Sequence, residues 1–458
     1  MPFISHYLQC LSYDDDSSII WHSVFGRPML VAKVLAEKLQ EYAAKESLFV
    51  PEDIFGDDYA EDADILDTIK SLSDAHIIIS SVFTEKIDLA HLYTKHNTGE
   101  SKVKNLSLIM SEECPFRCKY CIHFANSKHY YNLKKMMTVK MAKASIDAYL
   151  TTVLENKLSE AYINFGGGEP LLNWKTIKAI LPYIDDYRQS LGIPIKIGIN
   201  TNLALLTKEI AKTLIKYDVE IAASLDGTKT GNDAVRLTKD LTGTYDQIIR
   251  GFKIMEDLGH PLDGFAMTVT QDNFFDIDTP IIDWAASLGM KEVRIDIDVI
   301  GAVNIPIRKI VTSLIKVRRY AKTKGISVIG FWSRPAENLG LIPEDEDVGF
   351  CGGERGNSLC VAPSGQVFPC GYSNYELGKY SEIISISEKP AYIKLLDRRL
   401  LSKLEHCQDC PILGFCRGGC MITREANPDT DKISRMCELY TAMTYEILCE
   451  SVEYGLST

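Results

Sequence analysis

The placement of cysteine constrains this chain more than any other feature. Of thirteen cysteines in 458 residues, three lie at 114–121 and eight at 351–437. The first three stand in Cys114-Pro115-Phe116-Arg117-Cys118-Lys119-Tyr120-Cys121, a C-x3-C-x2-C spacing after the apolar run Leu106-Ser107-Leu108-Ile109-Met110. Three thiolates on one short loop can hold three irons of a cubane cluster. Such clusters normally take four cysteines, so a fourth iron would stay open to a small molecule. The same residues also read as a zinc knuckle or as unrelated core thiols. Cys10 and Cys449 stand alone and read as small buried apolar residues.

Cysteines in this number, in a reducing compartment, argue for metal and against disulfides. The opening Met1-Pro2-Phe3-Ile4-Ser5-His6 has no basic region of a signal peptide. No apolar run is long enough to span a bilayer. A cytoplasmic place without membrane contact is the expectation. A net charge of -12 gives no footing for a nucleic-acid partner. Lys316, Lys322 and Lys324 read as a solvated helix face. The length fits about three domains.

Residues 1–97 read as a small α+β domain. His6–Leu11 and Ile19–Val24 flank the acidic turn Asp14-Asp15-Asp16 and predict a hairpin, with a third strand at Met29–Val31. Ala32–Ala43 and Asp64–Leu72 have helical periodicity. Ala75–Val82 reads as a strand, and residues 95–104 as a polar linker. Residues 104–305 alternate strand and helix, which predicts a parallel sheet with helices outside. Its six strands begin near Leu106, Ala161, Lys196, Glu220, Gly264 and Glu292. Residues 306–350 read as a connecting segment with a helix, a strand-like run at Ser327–Phe331 and an acidic loop at Glu344–Asp347.

The candidate motifs fall at strand ends. Gly166-Gly167-Gly168-Glu169-Pro170 follows the second strand, where glycines allow close backbone approach and a carboxylate can take an ammonium group. Asn200-Thr201-Asn202 ends the third strand and Ser224-Leu225-Asp226-Gly227 the fourth. Arg236 follows, and a guanidinium matches a carboxylate. Asp296 and Asp298 alternate on the sixth strand and could meet substrate or pair with a lysine.

Together these residues resemble the radical S-adenosylmethionine superfamily. The resemblance implies an α/β fold: a partial (β/α)6 TIM-type barrel with the site at the C-terminal strand ends. It implies that Cys114, Cys118 and Cys121 hold a [4Fe-4S] cluster that binds S-adenosylmethionine. Tyr120 would meet the adenine, and Gly167, Gly168 and Glu169 the methionine amine. Asn200, Ser224 and Arg236 would complete the cofactor contacts.

The second group is Cys351, Cys360 and Cys370, then Cys407, Cys410, Cys416 and Cys420 in a C-x2-C-x5-C-x3-C run, then Cys437. It resembles the twitch-type extension called SPASM, over residues 351–446, and implies two auxiliary iron-sulfur clusters. By resemblance Cys407, Cys410, Cys416 and Cys437 hold one. Cys351, Cys370 and Cys420 hold the other, with Cys360 as candidate fourth ligand. Paired zinc sites are the alternative. The front domain looks like the winged-helix modules that bind a leader peptide in peptide-modifying relatives; a scaffolding role is the alternative.

What the resemblance implies about activity is hydrogen-atom abstraction from a ribosomally made precursor peptide. An intramolecular crosslink, by thioether, carbon-carbon or carbon-oxygen bond, would follow, with a small redox protein as electron donor. No catalytic base is evident. A formylglycine-forming sulfatase maturase is the rival, although Gly371 stands where those enzymes carry an aspartate. A non-catalytic iron-sulfur scaffold is the third reading.

Overall fold

The computed structural model describes residues 2–94, 103–122, 136–298, 304–339, 349–400, 403–426 and 430–453. Residues 95–102 of the expected linker and the acidic loop Glu344–Asp347 lie outside them.

The front domain begins with β1 (Phe3–Ile4), β2 (Leu8–Ser12), β3 (Ser17–His22) and β4 (Gly26–Ala32). The turn between β2 and β3 is fixed by Asp14, whose Oδ1 accepts from the amides of Asp16 and Ser17 at 2.9 and 2.7 Å. This is the chemistry that makes aspartate a turn residue. β2, β3 and β4 form an antiparallel sheet in that order. Helices Lys33–Lys45 and Ala63–Asp74 follow. The expected strand at Ala75–Val82 shrinks to β5 (Ile78–Ile79), which pairs with β1. A helix at Val82–Thr94, absent from the sequence reading, takes over. Its start was legible: the Ser81 hydroxyl accepts from the Thr84 amide at 3.0 Å, an N-cap.

Seven parallel strands then follow in chain order. They are β6 (Asn105–Ser111), β7 (Ala161–Gly167), β8 (Ile195–Thr201), β9 (Val219–Ser224), β10 (Gly264–Val269), β11 (Glu292–Ile297) and β12 (Ser327–Ile329). The sheet order runs β12-β11-β10-β9-β8-β7-β6, so each βα unit lies beside the previous one. The partial α/β barrel is therefore one strand wider than the six expected. The seventh comes from the segment read as a connector: β12 pairs in parallel with β11, and its helix is Ile307–Thr323.

On the other edge the sheet continues into the cysteine-rich region. β13 (Ser358–Val361) pairs in parallel with β6, and the antiparallel β14 (Gln366–Phe368) and β15 (Gly378–Lys379) follow. Cys360 is the register partner of Ser107. Leu106, Leu108, Met110, Ile163, Phe165, Ile197 and Ile199 are fully buried, which anchors the sheet and leaves its C-terminal strand ends to carry polar residues.

The front domain is fastened to the C-terminal region by backbone contacts. The Gly414 amide donates to the Ser23 carbonyl at 2.9 Å, and the Trp21 indole N–H to the Pro411 carbonyl at 2.8 Å. A Cβ on Gly414 would lie 1.8 Å from the Val24 carbonyl oxygen. Val24, Phe25, Leu89, Leu404, Cys407 and Leu413 form a shared buried cluster. Among the described residues no helix is long and apolar enough to cross a membrane.

Candidate radical S-adenosylmethionine site

The triad loop leaves β6 at Ser111 and is held from two sides. On one side, the amides of Arg117 and Lys119 donate to the carbonyls of Leu237 and Val235 at 2.5 and 2.9 Å. On the other, the amides of Gly168 and Glu169 donate to the carbonyls of Ser111 and Glu113 at 2.8 and 2.9 Å. The glycines are required here. A Cβ on Gly167 would lie 2.3 Å from the Ser111 oxygen, and one on Gly168 2.5 Å from the Glu113 oxygen. Gly167 also has φ +122°. The close approach expected toward a ligand is thus made first toward the loop that carries Cys114.

Glu169 is fully buried. Its Oε1 accepts from the Leu171 amide at 3.0 Å and the Thr201 hydroxyl at 2.7 Å; Oε2 accepts from the Asn202 amide at 2.9 Å. Burial pushes its pKa up to about 7, against the pull of these donors. A carboxylate offers about four acceptor positions, so these three bonds leave one. Asn202 in turn points its Nδ2 at Cys114 Sγ, 3.6 Å away.

Asp226 is the residue that sequence reasoning passed over. It is fully buried and gathers three elements. Its Oδ2 accepts from the Tyr120 hydroxyl. Its Oδ1 accepts from the Thr268 amide at 2.8 Å and from Arg236 Nη2 at 3.2 Å. Arg236 Nε lies 2.6 Å from Oδ2, the guanidinium carbon sits 5.5 Å from the Tyr120 ring centre, and Nη1 lies 4.0 Å from Cys118 Sγ. The arginine therefore holds Asp226 as well as facing the loop. The signal that could have found Asp226 was its place just beyond the end of β9. Ser224 is half-buried at that strand end and Asn200 is exposed near the end of β8. On β11, Asp296 pairs with Arg294 at 2.6 Å, so its partner is an arginine.

The cysteines come together in three sets. Burial pushes the Cys114 thiol up to about 12, with Glu169, Cys118 and Cys121 adding to it. Burial pushes Cys118 up to about 11, and Cys121 adds to that. Burial also raises Cys370, and the thiols of Cys420, Cys351 and Cys360 raise it further. Cys416 is raised by burial and then by Cys410, Cys437 and Cys407. Thiols this buried keep their protons until a metal replaces them; among the described residues no group of three or more histidine, cysteine, aspartate and glutamate side chains closes on a single metal ion. Arg417, Gly418 and Gly419 have successive φ of +42°, +86° and +72°, and so curl the chain between Cys416 and Cys420. Cys10 packs in the front domain and Cys449 against the main core, both half-buried.

Comparison with known proteins agrees with this geometry. Residues 108–278 match the radical SAM superfamily. The radical SAM cyclopropyl synthase TigE of Paramaledivibacter caminithermalis is 26% identical over 438 residues, 91% of this chain and 89% of that protein. The cysteine-type anaerobic sulfatase-maturating enzyme of Clostridium novyi is 23% identical over 370 residues, 74% of this chain and 94% of that protein. Among solved structures, Streptococcus suis SuiB bound to precursor peptide SuiA superposes with TM-score 0.53 at 16% identity, over 93% of this chain and 97% of that one. The chain therefore carries a radical SAM domain at residues 108–278, and over most of its length it is similar to a cyclopropyl synthase and to a sulfatase-maturating enzyme.

Proposed function

We propose that this enzyme acts on a ribosomally made precursor peptide and installs an intramolecular bond. The observation that carries the reading is the Cys114, Cys118 and Cys121 loop, stitched at the strand ends to Gly168, Glu169 and the 235–237 segment. S-adenosylmethionine on a [4Fe-4S] cluster supplies, when bound, hydrogen-atom abstraction. The chain's own residues hold and orient. Gly167 and Gly168 let β7 abut the triad loop, and Glu169 offers its remaining acceptor position to the methionine ammonium. Arg236 and Asp226 fix Tyr120, which would meet the adenine, and Ser224 and Asn200 would meet the ribose. The two C-terminal sets hold auxiliary clusters, and a small redox protein is the electron donor.

Residues 1–97 are the proposed leader-binding domain. β2 and β4 each pair only with β3 among the described residues, so both edges can accept a peptide strand. Leu30 on β4 is 50% exposed, which suits an apolar leader side chain. Resemblance to a cyclopropyl synthase favours carbon-carbon closure over thioether or ether formation. Sulfatase maturation is the second reading, favoured by the C. novyi relative and opposed by Gly371.

The test is anaerobic reconstitution with dithionite and S-adenosylmethionine. Wild type is expected to give 5′-deoxyadenosine, and Cys114→Ala, Cys118→Ala or Cys121→Ala none. Incubation with a peptide encoded beside the gene should remove a hydrogen pair from its mass. Formylglycine from a cysteine peptide, with no change in the precursor, would move the assignment to sulfatase maturation.

A further inference from the structure

Glu354 stands three places after Cys351, in Cys351-Gly352-Gly353-Glu354. A turn closes there: the amides of Glu354 and Arg355 donate to the Cys351 carbonyl at 3.0 and 3.1 Å. Gly353 lets this turn abut Cys370, since a Cβ on it would lie 3.4 Å from the Cys370 Cβ. From the other side, Arg399 binds Oε1 of Glu354. The same guanidinium donates to the carbonyls of Arg417 and Gly419 at 3.2 and 3.4 Å, in the loop that ends at Cys420. Glu354 is thus fixed between the Cys351 turn, which abuts Cys370 through Gly353, and the loop that ends at Cys420, and is 3% exposed. The Met421 amide and the Arg424 guanidinium also face its carboxyl group. Yet Oε2 has no hydrogen-bond partner among the described residues. A buried acceptor left bare keeps its whole desolvation penalty, so this position asks for something that takes up Oε2.

Cys360 is the competing donor. It lies on β13, its Sγ 3.5 Å from where a Cβ on Gly371 would stand, beside the Ile109 side chain. Cys360 bears on Cys370 alone of that set, whereas Glu354 bears on both Cys351 and Cys420, and on Cys416 across the Arg417–Gly419 loop. Resting on the reading that Cys351, Cys370 and Cys420 hold iron, we infer that Glu354, through Oε2, completes that site as a fourth, oxygen ligand. An oxygen donor gives less charge to iron than a thiolate. The site would therefore have a higher potential than an all-cysteine one, as imidazole ligation does in Rieske centres.

The experiment uses the full chain with Cys114, Cys118 and Cys121 changed to alanine, so that only C-terminal iron remains. After anaerobic reconstitution, iron and sulfide are counted and the clusters followed by Mössbauer spectroscopy and redox titration. Glu354→Gln is expected to keep about eight irons per chain and to shift the midpoint potential and the Mössbauer signature of one cluster. Glu354→Cys should keep the iron and lower the midpoint potential of one cluster, and Cys360→Ala should match the parent. Full iron with unchanged potential in Glu354→Gln, or iron loss in Cys360→Ala, overturns the inference. If Glu354→Gln does not fold, an unchanged potential in Glu354→Cys overturns it. A parent with no C-terminal iron removes the cluster reading and this inference together, whereas an iron-replete parent with an inert Glu354 removes the inference alone.

Discussion

The loop of Cys114, Cys118 and Cys121 and the region from Cys351 to Cys437 both gather buried thiols, by opposite means. The first does so within one short turn, where Cys121 donates its amide to the Cys118 carbonyl at 3.1 Å. Chain spacing sets the distances, and β7 and the 235–237 segment only hold the loop still. The second relies on contacts far apart in sequence: β13 on β6, Arg399 between Glu354 and the Arg417–Gly419 carbonyls, and Gly414 against Ser23. A local site tolerates damage to distant packing, and a site assembled from remote segments does not.

The largest effect should come from breaking the buried Arg236–Asp226 ion pair that braces the triad loop. Asp226→Asn leaves the Arg236 guanidinium buried without its counter-charge, a loss of roughly 3–5 kcal/mol. Thermal unfolding should fall accordingly, and cofactor binding should fail before auxiliary iron is lost. Gly414→Ala tests the other region. Its Cβ would overlap the Val24 carbonyl, so about 3 kcal/mol of overpacking is expected. Here auxiliary iron should drop while 5′-deoxyadenosine formation is retained; the reverse pattern would break the comparison.

A pH series sharpens it. Glu169, raised to about 7, must be ionised to accept an ammonium. S-adenosylmethionine affinity, measured by equilibrium dialysis, should weaken about tenfold from pH 8 to pH 6. Glu169→Gln should flatten the profile. In the protein without cofactor the sign is opposite. A raised carboxyl favours folding when protonated, so its contribution is full below pH 4.5 and gone above about 7. Trp21→Phe removes the indole bond to Pro411 and should cost about 1 kcal/mol, read as a lower midpoint for release of the front domain. Lys119→Ala is the smallest change. Its pair with Asp272 at 2.8 Å is half exposed, so less than about 1 kcal/mol is expected although it sits between two cluster cysteines.

The sequence by itself determined whatever depends on near neighbours. Period and spacing marked the parallel strands, the Cys114–Cys121 loop, the glycines after β7 and the C-x2-C-x5-C-x3-C run. Each is fixed by local geometry or by the absence of a Cβ. Only the tertiary structure decided the rest. It joined β12, a run already strand-like in the sequence, to the barrel as a seventh strand through its pairing with β11. It turned the expected strand at Ala75–Val82 into β5 and a helix. It made Asp226 the brace of Tyr120, Arg236 and β10, and set Glu354 among cysteines distant in sequence. A carboxylate's role depends on which remote donors surround it, and no spacing along the chain records that.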